Sequence, residues 1–459
     1  TFPLVDQEIV RRLAQQVQER SLTDKEVQEA VQGRAALPWH SKFKAGYEAV
    51  SAASTLLTRI DAGCWNMSSL QDGFEGYTQH WFTIDQAYRR FNRSLNLYEP
   101  DAALDALKTA VETAYIRDFL TPLGQTWRRH IEGLERWEID SIPSATSFFT
   151  DQVSRPWLDK SKKIVVIISD ALRYEVGEEL ARRISQEDRF TARLSAMLSV
   201  LPSYTQLGMA ALLPHQSLAF ADDGLVEVDG TPSAGTENRS RLLTSAGGTA
   251  IQANDLFSMK RSETRELLKS HQLLYVYHNQ IDNTGDKQTT ESDTFRACEV
   301  AIEELVRLVK KLANANVNNI LITADHGFLY QESRVEGQDY LSVKPHGDTL
   351  LHVNHRFALG HGLKRDPAFI TFSSQQLQMT GDIEAQVPGS IHRIRTTGSG
   401  TRFVHGGASL QEVVTPVITV NKRRSSDTYQ TPVKIVTETD KITTGQITIM
   451  LFQQEPVRE

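Results

Sequence analysis

Cysteine is almost absent from this chain of 459 residues: Cys64 and Cys298 are its two cysteines, and they lie far apart. Their scarcity excludes a disulfide framework and a cysteine zinc site, and it suits the reducing cytoplasm. The sequence has no apolar run long enough to span a membrane and no signal peptide, so we expect no membrane segment. Basic residues are not in excess, because 50 Lys and Arg stand against 57 Asp and Glu, a net charge of −7. A basic surface over the whole protein is therefore excluded, whereas a local basic patch is not.

The segments that are present predict an α/β fold with additions at both ends. Residues 1–142 carry apolar residues at helical spacing and predict a helical domain, with a capping box at Thr23–Glu26. Over residues 143–424, apolar runs alternate with amphipathic helices, which predicts a parallel sheet flanked by helices. Within that part, residues 222–248 are rich in small polar residues and form an excursion. Residues 331–400 are predicted to be an irregular insertion over the site.

Residues 425–459 contain alternating, β-branched segments and predict the beginning of a C-terminal β domain. The sequence starts at Thr1 without a methionine and stops after a strand-like run. We therefore expect it to be part of a longer protein.

Three apolar runs, each followed by an aspartate, are the most informative feature of the sequence. Lys163–Ser169 precedes Asp170, Leu273–Ile281 precedes Asp282, and Asn319–Ala324 precedes Asp325-His326-Gly327. Near-continuous apolar runs are typical of strands that are buried on both faces of a parallel sheet. Open α/β sheets bind ligands beyond the carboxyl ends of their strands, so we expect the three carboxylates to meet there. They would repel each other unless a cation held them, and the sequence therefore predicts a metal site.

Further ligands are predicted around these strand ends. Asp286 follows Asp282 by four residues, and Gly285 between them permits a tight turn that turns both carboxylates toward one ion. His405 is followed by Gly406 and Gly407, which permit close approach of the backbone to a metal centre. Aspartate and histidine ligands suit zinc, manganese or magnesium rather than copper or an iron–sulfur cluster.

Thr205, in Pro202-Ser-Tyr-Thr-Gln, is the predicted nucleophile. It stands where a strand-like run turns into a helix, so that the helix N-terminus would face an incoming phosphate. A threonine hydroxyl is a poor nucleophile at neutral pH, and a metal ion corrects this by stabilising the alkoxide.

The alternative explanations for these residues are structural. The aspartates and histidines would then belong to strand-end turns and helix caps, and Thr205 would be an N-cap residue. Asp286, which is next to Lys287, would lie in a solvated turn. The complete set in this order favours a site over these alternatives.

Other polar residues stay outside the predicted site. His278 lies four residues before Asp282 and is interpreted as structural or supporting. Arg173 and Arg356 are possible phosphate ligands, but solvated side chains are the simpler interpretation, as for the basic linker Lys422-Arg-Arg424. Contact with phosphate and simple exposure to solvent explain four histidines of the insertion equally well, namely His346, His352, His355 and His361.

The motifs together resemble the PglZ family, a branch of the alkaline phosphatase superfamily known from BREX-type phage-defence systems. They extend over roughly 162–420, and their order is that of the family. The matching segments are Ile168-Ser-Asp170-Ala-Leu-Arg-Tyr-Glu175, Pro202-Ser-Tyr-Thr205-Gln, Tyr277-His-Asn-Gln-Ile-Asp282-Asn-Thr-Gly-Asp286, Ala324-Asp325-His326-Gly327 and His405-Gly-Gly-Ala-Ser-Leu-Gln-Glu412.

The resemblance implies an alkaline-phosphatase-like fold and two divalent metal ions. The implied ligands are Asp170, Thr205, Asp325 and His326 for one ion, and Asp282, Asp286 and His405 for the other. Alkaline phosphatases usually have a histidine at the position of Asp286. A carboxylate there makes the site harder, so that manganese or magnesium becomes an alternative to zinc. Its added negative charge favours a monoanionic phosphodiester over a dianionic phosphomonoester.

The resulting hypothesis is a cytoplasmic, metal-dependent phosphodiesterase or nuclease in which metal-bound Thr205 attacks in line and water then hydrolyses the phosphothreonine. The resemblance implies DNA or another nucleotide diester as substrate, and defence proteins such as a methyltransferase and an ATPase as partners. One alternative is a phosphomonoesterase or a phosphatase of small nucleotides. Another is a non-catalytic scaffold that metal ions stabilise within a defence assembly.

Overall fold

The structure is a computed structural model that describes residues 3–396, 400–423, 432–436 and 449–453. Its N-terminal part is helical, as predicted, and the capping box between Thr23 and Glu26 is present. Two π-helical segments, Tyr77–Trp81 and Ala114–Leu120, join consecutive helices. The N-terminal helices, α1 to α7, are Pro3–Gln18, Asp24–Arg34, His40–Asp61, Leu70–Gly76, Phe82–Asn96, Ala102–Thr113 and Thr121–Ile131.

Strands and further helices alternate after residue 163. The strands, β1 to β17, are Ile164–Ser169, Phe190–Leu198, Leu218–Phe220, Val226–Val228, Thr231–Pro232, Gly248–Gln252, Leu273–His278, Asn319–Thr323, Leu329–Tyr330, Thr349–Val353, Ala358–His361, Phe369–Phe372, Glu384–Pro388, Phe403–Val404, Val414–Lys422, Val433–Val436 and Met450–Gln453. The later helices, α8 to α15, are Tyr174–Ser185, Thr205–Ala211, Gly235–Leu243, Ala253–Ser258, Arg261–Ser270, Ile281–Gly285, Thr294–Asn314 and Leu410–Val413.

The central sheet of the described residues has the strand order β2-β15-β8-β1-β7-β6. Strand β1 lies in the middle and pairs in parallel with β7 and β8, and all six residues of both β1 and β7 are buried. Burial on both faces explains why their sequences are continuously apolar rather than alternating. Helices flank the sheet; α8 packs on β15 so closely that a Cβ on Gly177 would lie 2.5 Å from the Pro416 side chain. The predicted α/β fold with a helical N-terminal part is confirmed.

The sheet is mixed, because β15 runs antiparallel to both of its neighbours, β8 and β2. The residues before β15 lie at the carboxyl edge of the parallel strands. The last of them form α15, which has four residues and leads directly into β15. A strand that starts at that edge must run in the opposite direction. The basic linker predicted at Lys422–Arg424 begins later than expected, because Lys422 is the last residue of β15; Arg424 lies outside the described residues.

Three details of the sequence prediction are wrong. The strand expected to end at Asp282 ends at His278, because Asn279 and Gln280 accept hydrogen bonds from Asn283 and Thr284 and so begin a short helix, α13. The insertion at 331–400 is not irregular, because β10, β11, β13 and β12 form an antiparallel sheet within it. Gly285 does not serve a tight turn. Gly285 is the last residue of α13 and lies in close contact with Phe403, because a Cβ at position 285 would be 2.5 Å from the Phe403 ring.

The C-terminal strands β16 and β17 pair with each other and are exposed. They agree with the predicted β character of this part, although residues 437–448 lie outside the described residues. The division into domains at 142 and 424 stays a prediction. Among the described residues, no helix has the length and hydropathy that crossing a bilayer requires.

A buried arginine joins the N-terminal helices to the sheet region. Arg89, on α5, is completely buried and lies within 3.0 Å of Glu175 on α8 and 2.6 Å of Glu299 on α14. Glu179 adds a third contact at 2.8 Å. Burial acts to raise the pKa of Glu179, but the charges and hydrogen bonds of Arg89 and Arg90 together outweigh it and the pKa falls to about 2.

Replacing Arg89 with leucine is expected to lower the free energy of unfolding by about 3–5 kcal/mol, because the buried carboxylate of Glu175 then loses its ion-pair partner and two further carboxylates lose their buried one. Urea unfolding of wild type and R89L measures the difference. Arg117→Leu is the control, since Arg117 is exposed beside Asp118 and should change stability very little. Equal stability of the two variants would contradict the assignment of Arg89 to a stabilising network.

Candidate metal centre and nucleophile

Four segments bring acidic and imidazole side chains to the carboxyl edge of the central sheet. Asp170 directly follows β1, and Asp325 and His326 follow the neighbouring strand β8. Asp282 lies in α13, after β7 on the other side of β1. His405 follows β14. These segments meet because β7, β1 and β8 are adjacent, parallel and of nearly equal length.

The first group of possible metal ligands contains Asp170, Asp325 and His326, whose ligand atoms all lie within 4.8 Å of one another. The His326 Nε2 atom lies 3.3 Å from Asp325 Oδ2 and 3.6 Å from Asp170 Oδ1. All three side chains are buried. These are the three residues that the sequence predicts for the first ion together with Thr205.

The second group contains Asp282 and His405, with His326 again as the third member. The His405 Nε2 atom lies 3.6 Å from Asp282 Oδ1. The rings of His326 and His405 are stacked, with centroids 4.1 Å apart and planes 10° apart. The two groups are therefore contiguous and share His326, which makes a single two-ion centre geometrically reasonable.

Thr205 is in contact with this centre. Its Oγ1 atom lies 3.1 Å from His326 Nε2. Thr205 is the first residue of α9, and the N-cap position is occupied by Tyr204, without a side-chain cap. The alternative interpretation of Thr205 as a capping residue is therefore wrong, and its hydroxyl is directed to His326.

The neighbours of His326 determine which of its nitrogens carries the proton. Nδ1 lies 2.9 Å from the carbonyl oxygen of Gly327, which can only accept a hydrogen bond. Nδ1 is therefore protonated in the neutral ring, and Nε2 has a free lone pair. That lone pair accepts the hydrogen bond of Thr205 and is the atom that would bind a metal ion.

Glycines allow the close packing that holds these groups in place. A Cβ on Gly208 of α9 would lie 2.6 Å from the carbonyl oxygen of Asp325, so α9 rests directly on the ligand segment. A Cβ on Gly327 would lie 2.1 Å from the carbonyl oxygen of Gln411. Gly406, directly after His405, has φ +113°, in the region that favours glycine.

The backbone is strained beside the first ligand. Ala171 has φ +59°, which is uncommon for a residue with a Cβ. Its N–H donates a hydrogen bond of 3.2 Å to Asp325 Oδ1. Strain of this kind persists where surrounding contacts over-determine the conformation, and it occurs often at functional sites.

Burial and mutual repulsion shift the pKa values of the acidic ligands upward. Burial, followed by the charges of Asp282 and Asp325, holds the pKa of Asp170 well above its usual range. Burial raises the pKa of Asp325 to about 6 and also raises the pKa of Asp282, although the two histidines oppose the shift at Asp282. Burial and the charge of His405 lower the pKa of His326 to about 3, so this imidazole is neutral at physiological pH.

The residues fit a pair of divalent cations. Four buried ligand atoms have no hydrogen-bond partner among the described residues: Asp170 Oδ1, Asp282 Oδ1, Asp325 Oδ2 and His405 Nδ1. Buried polar atoms without partners are rare in proteins, and four of the twelve among the described residues belong to this one cluster. Carboxylate oxygens and neutral imidazoles are the ligands of zinc, manganese and magnesium.

Asp286 is the predicted ligand that neither group includes. It is exposed at the end of α13, one helical turn after Asp282. Its charge is among the causes of the raised pKa of Asp282, so it lies near the centre. Its assignment as a ligand stays a prediction.

His278 and the two arginines have structural partners. His278 bridges Ser169 Oγ and Glu304 Oε2, at 3.0 Å each, in agreement with its predicted structural role. Neither interpretation of the arginines is correct, because both are buried in ion pairs: Arg173 with Asp85 and Arg356 with Glu412. The histidines of the insertion belong to neither ligand group.

Arg239 is a residue near the centre that the sequence analysis missed. It is buried, its guanidinium carbon lies 4.8 Å from the centre of the Tyr277 ring, and its charge acts to lower the pKa of Asp170. It comes from α10, within the excursion at 222–248, where no motif marks it. Its sequence neighbours gave no signal that would have distinguished it from a solvated arginine.

The fold is that of an alkaline phosphatase-like protein, and comparison with known proteins identifies the family. The chain belongs to the PglZ family: the family model described as the BREX system PglZ alkaline phosphatase-like domain matches residues 148–420. The resemblance seen in the motifs is thus confirmed.

Two curated relatives match along the chain. It is 35% identical over 487 residues to the alkaline phosphatase-like protein BrxZ of Escherichia coli O9:H4 (strain HS), with 99% of the chain covered. It is 33% identical over 469 residues to the alkaline phosphatase-like protein PglZ of Bacillus cereus (strain H3081.97), with 100% covered. The matches cover 55% of each relative, so the chain spans about half their length.

Solved structures show a weaker similarity. Murine ectonucleotide pyrophosphatase/phosphodiesterase 5 matches with a TM-score of 0.38 and 14% identity, over 57% of this chain and 88% of that one. Phosphonoacetate hydrolase from Sinorhizobium meliloti 1021, in complex with phosphonoacetate, matches with a TM-score of 0.36 and 13% identity, over 56% and 89%. Similarity at this level carries no inference about activity.

Chelator-treated protein is expected to lose stability as the pH rises above 6.5, the usual pKa of histidine, until the raised pKa of Asp170 is passed. Asp170 has a raised pKa, so the folded state holds a proton that the unfolded state has already lost, and stability falls as the pH rises through the folded pKa. His326 acts in the opposite direction, but only between its folded pKa of about 3 and its usual value of 6.5. Thermal unfolding at a series of pH values measures this decrease of stability with pH. Zinc or manganese should abolish the decrease by compensating the charges of the carboxylates.

Asp170→Asn is the control for this slope, because an amide does not titrate. Because the charges of Asp170, Asp282 and Asp325 act on one another, the difference between wild type and D170N measures the contribution of the three carboxylates together. Parallel pH profiles for the two proteins would contradict the proposed electrostatic origin.

Proposed function

We propose that this protein is a divalent-metal-dependent phosphodiesterase with nuclease activity, in which Thr205 is the nucleophile. The observation that carries the proposal is the 3.1 Å contact of Thr205 Oγ1 with His326 Nε2, because His326 belongs to both ligand groups. A hydroxyl that touches the histidine shared by two ligand groups is placed to attack a phosphorus atom bound between them. Asp170, Asp325 and His326 would hold one cation, and Asp282, Asp286 and His405 the other.

The reaction then has two steps on this chain. Thr205 Oγ1 loses its proton to solvent and forms a bond to phosphorus, while the bond from phosphorus to the leaving alcohol breaks. Water then attacks the phosphothreonine and releases the second product and the free hydroxyl. The cations would lower the pKa of the Thr205 hydroxyl and neutralise charge on the phosphoryl oxygens. His326 stays neutral because of its low pKa, so that its Nε2 lone pair is available to hold a cation beside Thr205.

The charge of the centre supports a diester substrate. Four carboxylates, including Asp286, offset the four positive charges of two divalent cations, so the loaded centre is close to neutral. A neutral centre attracts a dianionic phosphomonoester less strongly than a positively charged one would. The monoanionic phosphodiester of DNA or of another nucleotide is therefore the favoured substrate class.

The biological setting is likewise proposed from family membership. We infer that the protein acts in the cytoplasm as part of a BREX defence system, together with a methyltransferase and an ATPase. The scarcity of cysteine supports this location. DNA is the diester that a phage-defence protein would encounter.

Thr205→Val keeps the shape of the side chain but lacks the hydroxyl, and it is expected to lower kcat/KM for bis-p-nitrophenyl phosphate by at least about a thousandfold. Thr205→Ser retains a hydroxyl and should keep much of the activity. Metal content and Tm should stay nearly the same in both variants. Wild type should also prefer bis-p-nitrophenyl phosphate to p-nitrophenyl phosphate and should nick plasmid DNA.

Two results would favour the alternatives. A clear preference for p-nitrophenyl phosphate would indicate a phosphomonoesterase. Absence of hydrolysis by wild type with zinc, manganese and magnesium, combined with full phage defence by T205V, would indicate a scaffold that metal ions stabilise.

Asp286→Ala is expected to weaken binding of the second metal ion about tenfold, if this exposed carboxylate turns toward the ion as we propose. Calorimetric titration of chelator-treated protein with manganese measures the affinity and the number of sites. Asp105→Ala is the matched control, an exposed aspartate on α6. Unchanged binding in D286A would assign Asp286 to a solvated turn.

A further inference from the structure

A buried aspartate of the N-terminal helices lies beside the segments that carry the metal ligands. Asp85, on α5, is completely buried. Its carboxylate accepts hydrogen bonds from the hydroxyls of Tyr77 at 2.8 Å and Tyr115 at 2.6 Å. It also lies 2.9 Å from Nη2 of Arg173 and 3.3 Å from Nε2 of Gln411. Two of these four partners therefore come from outside the helical part.

Arg173 connects Asp85 to the first ligand group. It is three residues after Asp170, and the strained residue Ala171 stands between them. Its guanidinium carbon lies 4.9 Å from the centre of the Phe328 ring, and Phe328 follows His326 by two residues. Arg173 thus contacts the segments of both Asp170 and His326.

Gln411 connects Asp85 to the segment that carries His405. It lies in α15, six residues after His405, and its carbonyl oxygen is the atom that requires glycine at position 327. A second helical residue supports the same segment, because Trp127 Nε1 donates a hydrogen bond of 2.7 Å to the carbonyl oxygen of Ala408. Contacts from the helical part therefore reach the segments of Asp170, His326 and His405.

The composition of this cluster argues against packing as its sole purpose. The ion pair of Asp85 and Arg173 is entirely buried, and Arg173 has no well-aligned hydrogen bond among the described residues. Desolvating two charges in this way often makes a fold less stable than a well-packed apolar pair would. A buried ion pair depends on the orientation of its two side chains, and it therefore holds the chain in one conformation. Such a restraint is what the strained backbone at Ala171 requires.

We propose that Asp85 is a positioning residue of the metal centre, which fixes the ligand segments through Arg173 and Gln411. The proposal rests on the proposed metal centre but not on the hydrolysis of any substrate. It assigns to the N-terminal helices a direct part in the site, in addition to their contribution to the core.

The chain contains a matched control for this residue. Asp6, on α1, is equally buried, pairs with Arg34 at 2.8 Å and accepts a hydrogen bond of 2.6 Å from the hydroxyl of Tyr47. Its partners all belong to the N-terminal helices. Asp6→Asn and Asp85→Asn therefore remove the same charge from similar surroundings, and they differ in contact with the ligand segments.

The test measures zinc affinity of chelator-treated protein by competition with a chromophoric chelator, together with the visible spectrum of the cobalt-loaded protein. Both variants are expected to have a lower Tm. Asp85→Asn should in addition weaken zinc binding about tenfold and change the cobalt absorption bands. Asp6→Asn should leave the affinity within about twofold of wild type and the bands unchanged.

Equal zinc affinity and identical cobalt spectra for folded D85N and D6N would overturn the positioning role while leaving the metal centre intact. Failure of wild type to bind either metal would overturn the metal centre and the positioning role together. If D85N does not fold, Tyr115→Phe takes the place of D85N and Tyr47→Phe takes the place of D6N. Tyr115→Phe removes one hydroxyl donor from Asp85, and Tyr47→Phe removes one from Asp6. A weaker zinc affinity of Y115F than of Y47F is then expected, and equal affinities would overturn the proposal.

Discussion

Repulsion among buried carboxylates is the constraint on which the rest of this structure depends. Three parallel strands place Asp170, Asp282 and Asp325 at one edge of the sheet, where Asp170 and Asp325 are buried and Asp282 is partly buried. Ionised carboxylates that are buried together need compensation, and His326 cannot supply a charge because burial keeps it neutral. Cations held by these side chains would supply that compensation, and they would link the fold to its chemistry at this point.

Close packing and buried ion pairs restrict the conformation of the segments around the centre. Gly208, Gly285 and Gly327 each stand where a side chain would collide with a ligand segment or its support. Arg173 and Arg356, which the sequence leaves as possible phosphate ligands or solvated residues, are buried in ion pairs next to those segments. Polar contacts that cost desolvation are concentrated around the centre, as expected where geometry matters more than stability.

Much of the fold and most of the centre follow from local sequence patterns. Strands β1 and β8 are recognisable because burial on both faces demands continuous apolar residues, and their aspartates mark where burial ends. Asp282 lies near the expected edge of the sheet, but in a short helix rather than directly after a strand. The difference arises because Asn279 and Gln280 can begin a helix as readily as end a strand. The role of Arg239 and the contact of Asp85 with Arg173 depend on residues distant in sequence, and no local pattern encodes them. The antiparallel direction of β15 likewise depends on where the chain enters the sheet.

The insertion between the two halves of the centre has a closed base. Tyr330 pairs with Phe403 and Leu329 with Val404, so the chain leaves the body of the protein and returns to it at neighbouring points. His326 lies just before the exit and His405 just after the return, and the ion pair of Arg356 with Glu412 ties the segment down. Phe357 and Arg356 of the insertion also lie directly against Gly406 and Gly407, where no side chain would fit. The insertion therefore supports the segment that follows His405 and is not a separable appendage.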